Sequence, residues 1–98
     1  MNNWRSTMVF FGKRKENTTV RFSFYGTENL PEIKEFIGSC GCTNFNFNKE
    51  TKGLTVKLNF NTIPPQVAGN VQDIHKTITV YYMNDTSEVL HIKGIITK

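Results

Sequence analysis

The sequence predicts an all-β domain, a sandwich of about seven short antiparallel strands. Three observations carry that prediction. The residues that favour a pleated surface (Val, Ile, Thr, Phe and Tyr) are abundant, while Ala occurs once, at Ala68. Apolar and polar residues alternate over several separate stretches. Turn residues interrupt those stretches at intervals of roughly ten residues, the spacing of a β-sandwich. Ninety-eight residues make one domain, 1–98, with a modest core and no need of covalent staples. Residues 1–6 read as an N-terminal arm.

The elements follow in order. Residues 7–11 form a short apolar strand, and Gly12 is expected to stop it. Lys13, Arg14 and Lys15 then read as a charged turn. Over residues 18–25, Val20, Phe22 and Phe24 alternate with Arg21, Ser23 and Tyr25, which marks a half-buried strand. Pro31 supports a break before the next segment. Residues 31–38 admit a helical turn through Ile33, Phe36 and Ile37, but a short strand is the preferred reading. Phe45 and Phe47 alternate with asparagines. Leu54, Val56, Leu58 and Phe60 alternate with Thr55, Lys57 and Asn59, the cleanest strand of the chain. Pro64 and Pro65 cannot donate backbone hydrogen bonds, so residues 62–70 read as a loop. Ile78, Val80 and Tyr82 mark a strand over 74–82, and Leu90 and Ile92 mark the last over 88–97. Gly94 within it signals a bulge or a close approach.

Both cysteines lie in one turn, Ser39-Cys40-Gly41-Cys42-Thr43. Several residues line up around this element: Val9-Phe10-Phe11-Gly12, Val20 to Phe24 in alternation, Lys52-Gly53, and Leu90-His91-Ile92-Lys93-Gly94. Together they resemble the bacterial domain-of-unknown-function family 1573, over nearly the whole chain. The resemblance implies an immunoglobulin-like sandwich of seven strands and brings no catalytic residues with it. Members of that family usually follow a secretion or lipoprotein signal. The first residues here have no long apolar core, so cytoplasmic synthesis without a signal peptide is expected, with a virion as a further location. The longest apolar run is four residues, 8–11, far short of a membrane span, and no membrane partner is expected.

Few side chains suggest chemistry. Two thiolates at Cys40 and Cys42 can hold a soft metal, which His75 and His91 could complete, but the histidines fall on different predicted strands, apart in sequence. The plainer reading is that Gly41 permits a tight turn and the cysteines pack as small apolar groups. No cofactor is expected. No nucleophile elbow, paired carboxylates or phosphate loop is present, which argues against an enzyme. The net charge of +4 permits an acidic partner without demanding one. Lys13, Arg14 and Lys15 are candidate phosphate contacts, interrupted by acidic residues nearby. Phe10 and the other alternating phenylalanines read as core. Trp4 and Phe11 read as exceptions: Trp4, in a polar arm, reads equally as an interface anchor or as folded back on the domain, and both join Pro64, Pro65 and Gln66 as candidate interface residues.

The expected role is therefore a structural module that decorates or cements a protein assembly, a virion capsid or tail in the most specific form. A nucleic-acid-associated module is the alternative, and a Cys40/Cys42 thiol or metal site the next. Under the first reading, deleting residues 1–6 would abolish assembly and spare folding.

Overall fold

The computed structural model describes residues 3–39, 43–60 and 71–98. Among these residues seven strands follow one another: β1 (Met8–Lys15), β2 (Thr19–Tyr25), β3 (Ile33–Gly38), β4 (Thr43–Asn48), β5 (Gly53–Asn59), β6 (Val71–Tyr82) and β7 (Ser87–Thr97). They form two sheets, of order β1-β7-β6-β3 and β2-β5-β4. Residues 31–38 resolve in favour of the strand. Among the described residues no helix is long and apolar enough to cross a membrane. The domain is an all-β sandwich, as the alternation required.

Alternation places the core between the sheets. Leu54, Val56 and Leu58 of β5 are buried against Ile78, Val80 and Tyr82 of β6 and Leu90 and Ile92 of β7. Rings fill the gap between the sheets. Phe36 meets Phe47 at 5.4 Å and Phe45 at 5.9 Å, while Phe11 meets Phe60 at 5.5 Å. Such tilted and edge contacts suit the aromatic quadrupole.

β1 departs from the sequence reading in three ways. It pairs with β7 in parallel, not antiparallel. A parallel pair cannot be joined by a tight turn, and here most of the domain separates its two strands, so no local pattern reports it. Gly12 does not stop the strand. It takes φ 87° where the register shifts between Phe10 and Lys13, and pairing then resumes to Lys15. This is a bulge, which Gly accommodates without a Cβ penalty. Lys13, Arg14 and Lys15 therefore lie on an edge strand rather than in a turn. Lysine and a bulge on an edge both discourage pairing with another chain, which gives the basic triplet a structural role.

The facing of β1 is also reversed. Phe11 is 8% exposed and inside, while Phe10 is 65% exposed and outside. Residues 8–11 are all apolar, so alternation could not choose between the faces. Gly94 makes the choice, because it leaves room for the Phe11 ring on the inner face of β7.

Trp4 is likewise not an exposed anchor: it is 1% exposed. Residues 3–5 pair with the end of β2 through the bridge Trp4–Gly26 before the chain crosses to β7. The Arg5 amide donates to the Tyr25 carbonyl at 2.9 Å, and the Thr27 amide donates to the Asn3 carbonyl at 2.8 Å. The indole packs edge-on to Phe47, with ring centroids 6.3 Å apart. Its Nε1–H donates to Tyr82 Oη at 2.8 Å, Tyr82 Oη donates to Glu88 Oε1 at 2.5 Å, and Asn3 Nδ2 donates to the same oxygen at 2.8 Å. The buried polar ends of Trp and Tyr are thereby satisfied, as burial demands.

Burial, and then the bond to Glu88, push the Tyr82 phenol from 10.0 up to about 12. The folded state holds this proton more tightly than the unfolded chain does. Its contribution is complete below the unfolded value and is lost as pH rises from about 10 towards about 12. Denaturation midpoints should therefore fall more steeply with pH across this window in the wild type than in Tyr82→Phe. Equal slopes in the two proteins would refute the assignment.

Candidate interaction surface

Among the described residues, the outer face of the four-stranded sheet gathers most of the exposed large apolar side chains. Cα partners share a face, so the register gives successive rows across it. Lys15, Thr97 and Val71 form one end, followed by Lys13, Ile95 and Asp73. Phe10, Lys93 and His75 come next, then Met8, His91 and Thr77. Val89, Thr79 and Ile37, and then Ser87, Tyr81 and Glu35, complete the face.

Eight large apolar side chains are exposed among the described residues, and six of them lie here: Met8, Phe10, Ile37, Val71, Tyr81 and Val89. Tyr25 on the other sheet and Met83 in the β6–β7 turn are the remaining two. Single exposed apolar residues need no explanation, but several on one face mark an interaction site. Phe10 stands beside Lys93 across the β1–β7 pair, and Lys13 and Lys15 continue the basic end of the face.

The clefts among the described residues are small by comparison. A shallow cleft of about 200 Å³ lies between Leu30, Ile33, Phe47 and Lys52. It is below the usual volume of a small-molecule pocket, which starts near about 300 Å³.

The structure places the sequence-derived candidates as follows. Trp4 and Phe11 are buried and serve the core, so neither is available as a surface anchor. Lys13, Arg14 and Lys15 are exposed along β1. Cys40, Gly41, Cys42, Pro64, Pro65 and Gln66 lie outside the described residues. His75 and His91, expected to be apart, are neighbours: His75 Nε2 is 3.1 Å from His91 Nδ1. Antiparallel pairing of β6 with β7 sets Thr77 opposite His91 and Lys93 opposite His75, which makes the two histidines diagonal neighbours on one face. The exposed residues that sequence reasoning missed are Met8, Phe10, Ile37 and Val89. The signal available for them was apolar residues on both faces of a strand.

No protein-family model matches the chain, and no curated protein matches it. The chain is similar in structure to the crystal structure of the titin M3 domain. The TM-score is 0.59 at 8% sequence identity, over 97% of this chain and 95% of the other. At that identity the likeness shows the fold, and the fold is an immunoglobulin-like sandwich.

Proposed function

We propose that this chain is a structural interaction module that docks through the outer face of its four-stranded sheet onto a protein assembly. The observation that supports this reading is the concentration of Met8, Phe10, Ile37, Val71, Tyr81 and Val89 on that one face. In its finer form the module is an accessory protein of a virion capsid or tail, decorating or cementing a homomeric lattice. Kinship with the bacterial family that residues 39–43 resemble belongs to the same reading. An open sheet face suits a broad partner surface, and the lysines at its β1 end suit an acidic rim.

Phe10→Asp combined with Val89→Asp tests the reading. Both side chains are outside the core, so stability should change by no more than about 0.5 kcal/mol per site. Retention of the assembly partner from native lysate should be lost. A variant that folds and still co-sediments with the assembly would overturn the reading.

A second reading, nucleic-acid association, is favoured by one observation: an exposed aromatic ring, Phe10, beside Lys93, Lys13 and Lys15. Stacking on an aromatic side chain within a basic groove is how single strands are held. Binding of this kind weakens steeply with added salt, whereas apolar docking on a protein does not. Retention of nucleic acid at low salt alone would exchange the two readings.

A further inference from the structure

We propose that His75 and His91 form a chelating site for a divalent late-transition-metal ion on the outer face of the four-stranded sheet. The inference stands apart from the docking role and rests on different atoms. The two ring nitrogens, His75 Nε2 and His91 Nδ1, are 3.1 Å apart, and the ring planes are tilted by only 30° with centroids 5.4 Å apart. A metal bound to imidazole sits about 2.0–2.1 Å from each nitrogen. Two such bonds meeting at roughly 95–100° span the observed separation, an angle between tetragonal and tetrahedral coordination. With the centroids 5.4 Å apart the two nitrogens face each other head-on, so each ring would turn by about 40° to aim its lone pair at a shared ion.

The backbone fixes this spacing. The histidines are diagonal neighbours on the adjacent strands β6 and β7, whose register runs without a shift from Val71 to Tyr81 through both of them. Binding asks for rotation of two side chains and for no backbone rearrangement. The same two nitrogens stand within hydrogen-bond distance of each other, and a bound cation would take the place of that contact. Among the described residues no third His, Cys, Asp or Glu joins the pair. The described residues therefore supply two donors, and water can fill the remaining coordination positions. Met8 is the cross-strand partner of His91, which leaves a thioether beside the site. Lys93, opposite His75, opposes the cation. An imidazole donor set with this bite favours Cu(II) over Ni(II) and Ni(II) over Zn(II) at comparable geometry.

The test is calorimetric titration of the full chain with Cu(II) and with Ni(II), each alone. Thiols also bind these ions, so the titration is run in a Cys40→Ser, Cys42→Ser background as well. One ion should bind per chain in both backgrounds, Cu(II) more tightly. His75→Asn or His91→Asn should weaken binding by roughly tenfold to a hundredfold, because a second donor on the same rigid sheet acts at high effective concentration. Circular dichroism on each variant separates loss of the site from loss of the fold. Equal binding in the wild type and both histidine variants would overturn the proposal. So would binding that disappears when the cysteines alone are replaced.

Discussion

Replacing Trp4 by alanine is expected to destabilise the domain by about 3–5 kcal/mol, the usual range for emptying a buried aromatic site. Domains of this size have about 5–15 kcal/mol in all, so the variant would be marginal. The melting temperature should fall on the order of 20 °C. The cost has two sources. The indole leaves a void against Phe47, and Tyr82 Oη loses the hydrogen bond from Nε1. Trp4→Phe separates them, since it keeps a ring and removes the donor. It should cost about 1–3 kcal/mol, the range for a buried polar group left short of a partner.

Removing residues 1–6 should be at least as damaging, because the backbone bonds from residues 3 and 5 to the end of β2 go as well. This reverses the expectation that the arm could be deleted with folding intact. Thermal melts of the truncated chain decide the matter. A truncated chain that melts within a few degrees of the wild type would return Trp4 to the surface.

Gly94→Val should destabilise the domain on the order of 3 kcal/mol through overpacking. A Cβ built at Gly94 lies 2.1 Å from Phe11 Cζ and 2.2 and 2.3 Å from the two Cε atoms of the same ring. The ring is enclosed between the sheets and meets Phe60, so it cannot swing aside cheaply. The cost is steric rather than torsional, which makes it correctable. A smaller residue at position 11 should recover part of it. In a double-mutant cycle, Gly94→Ala with Phe11→Leu should show coupling of about 0.5–3 kcal/mol in the rescuing direction. Strict additivity in urea denaturation would show that the ring and the glycine do not meet.

Much of the fold was legible because alternation is a local signal. Leu54, Val56 and Leu58 against Thr55 and Lys57 assign β5 and its inner face without any tertiary knowledge. The same holds for Ile78, Val80 and Tyr82 in β6. Gly94 was legible as a close approach, though not what approached it. The candidate surface was much less legible. Residues 8–11 are apolar on both faces, so their pattern cannot tell a core ring from a surface ring, and Phe10 and Phe11 were exchanged. Trp4 has only polar neighbours in sequence, while its partners, Phe47, Tyr82 and Gly26, are 22–78 residues away. The His75–His91 pair fails for the same reason, since it depends on the register of β6 with β7.

The sequence by itself determined that this chain is a small all-β sandwich and which alternating residues line its core. These follow from β propensity, a period of two and turn chemistry, each acting within a few residues. Only the tertiary structure decided that β1 joins β7 in parallel, that Trp4 and Phe11 face inward while Phe10 faces outward, and that two histidines meet. Each of those depends on which strand lies beside which. That is set by the joint packing of two sheets, to which no single stretch of the chain responds alone.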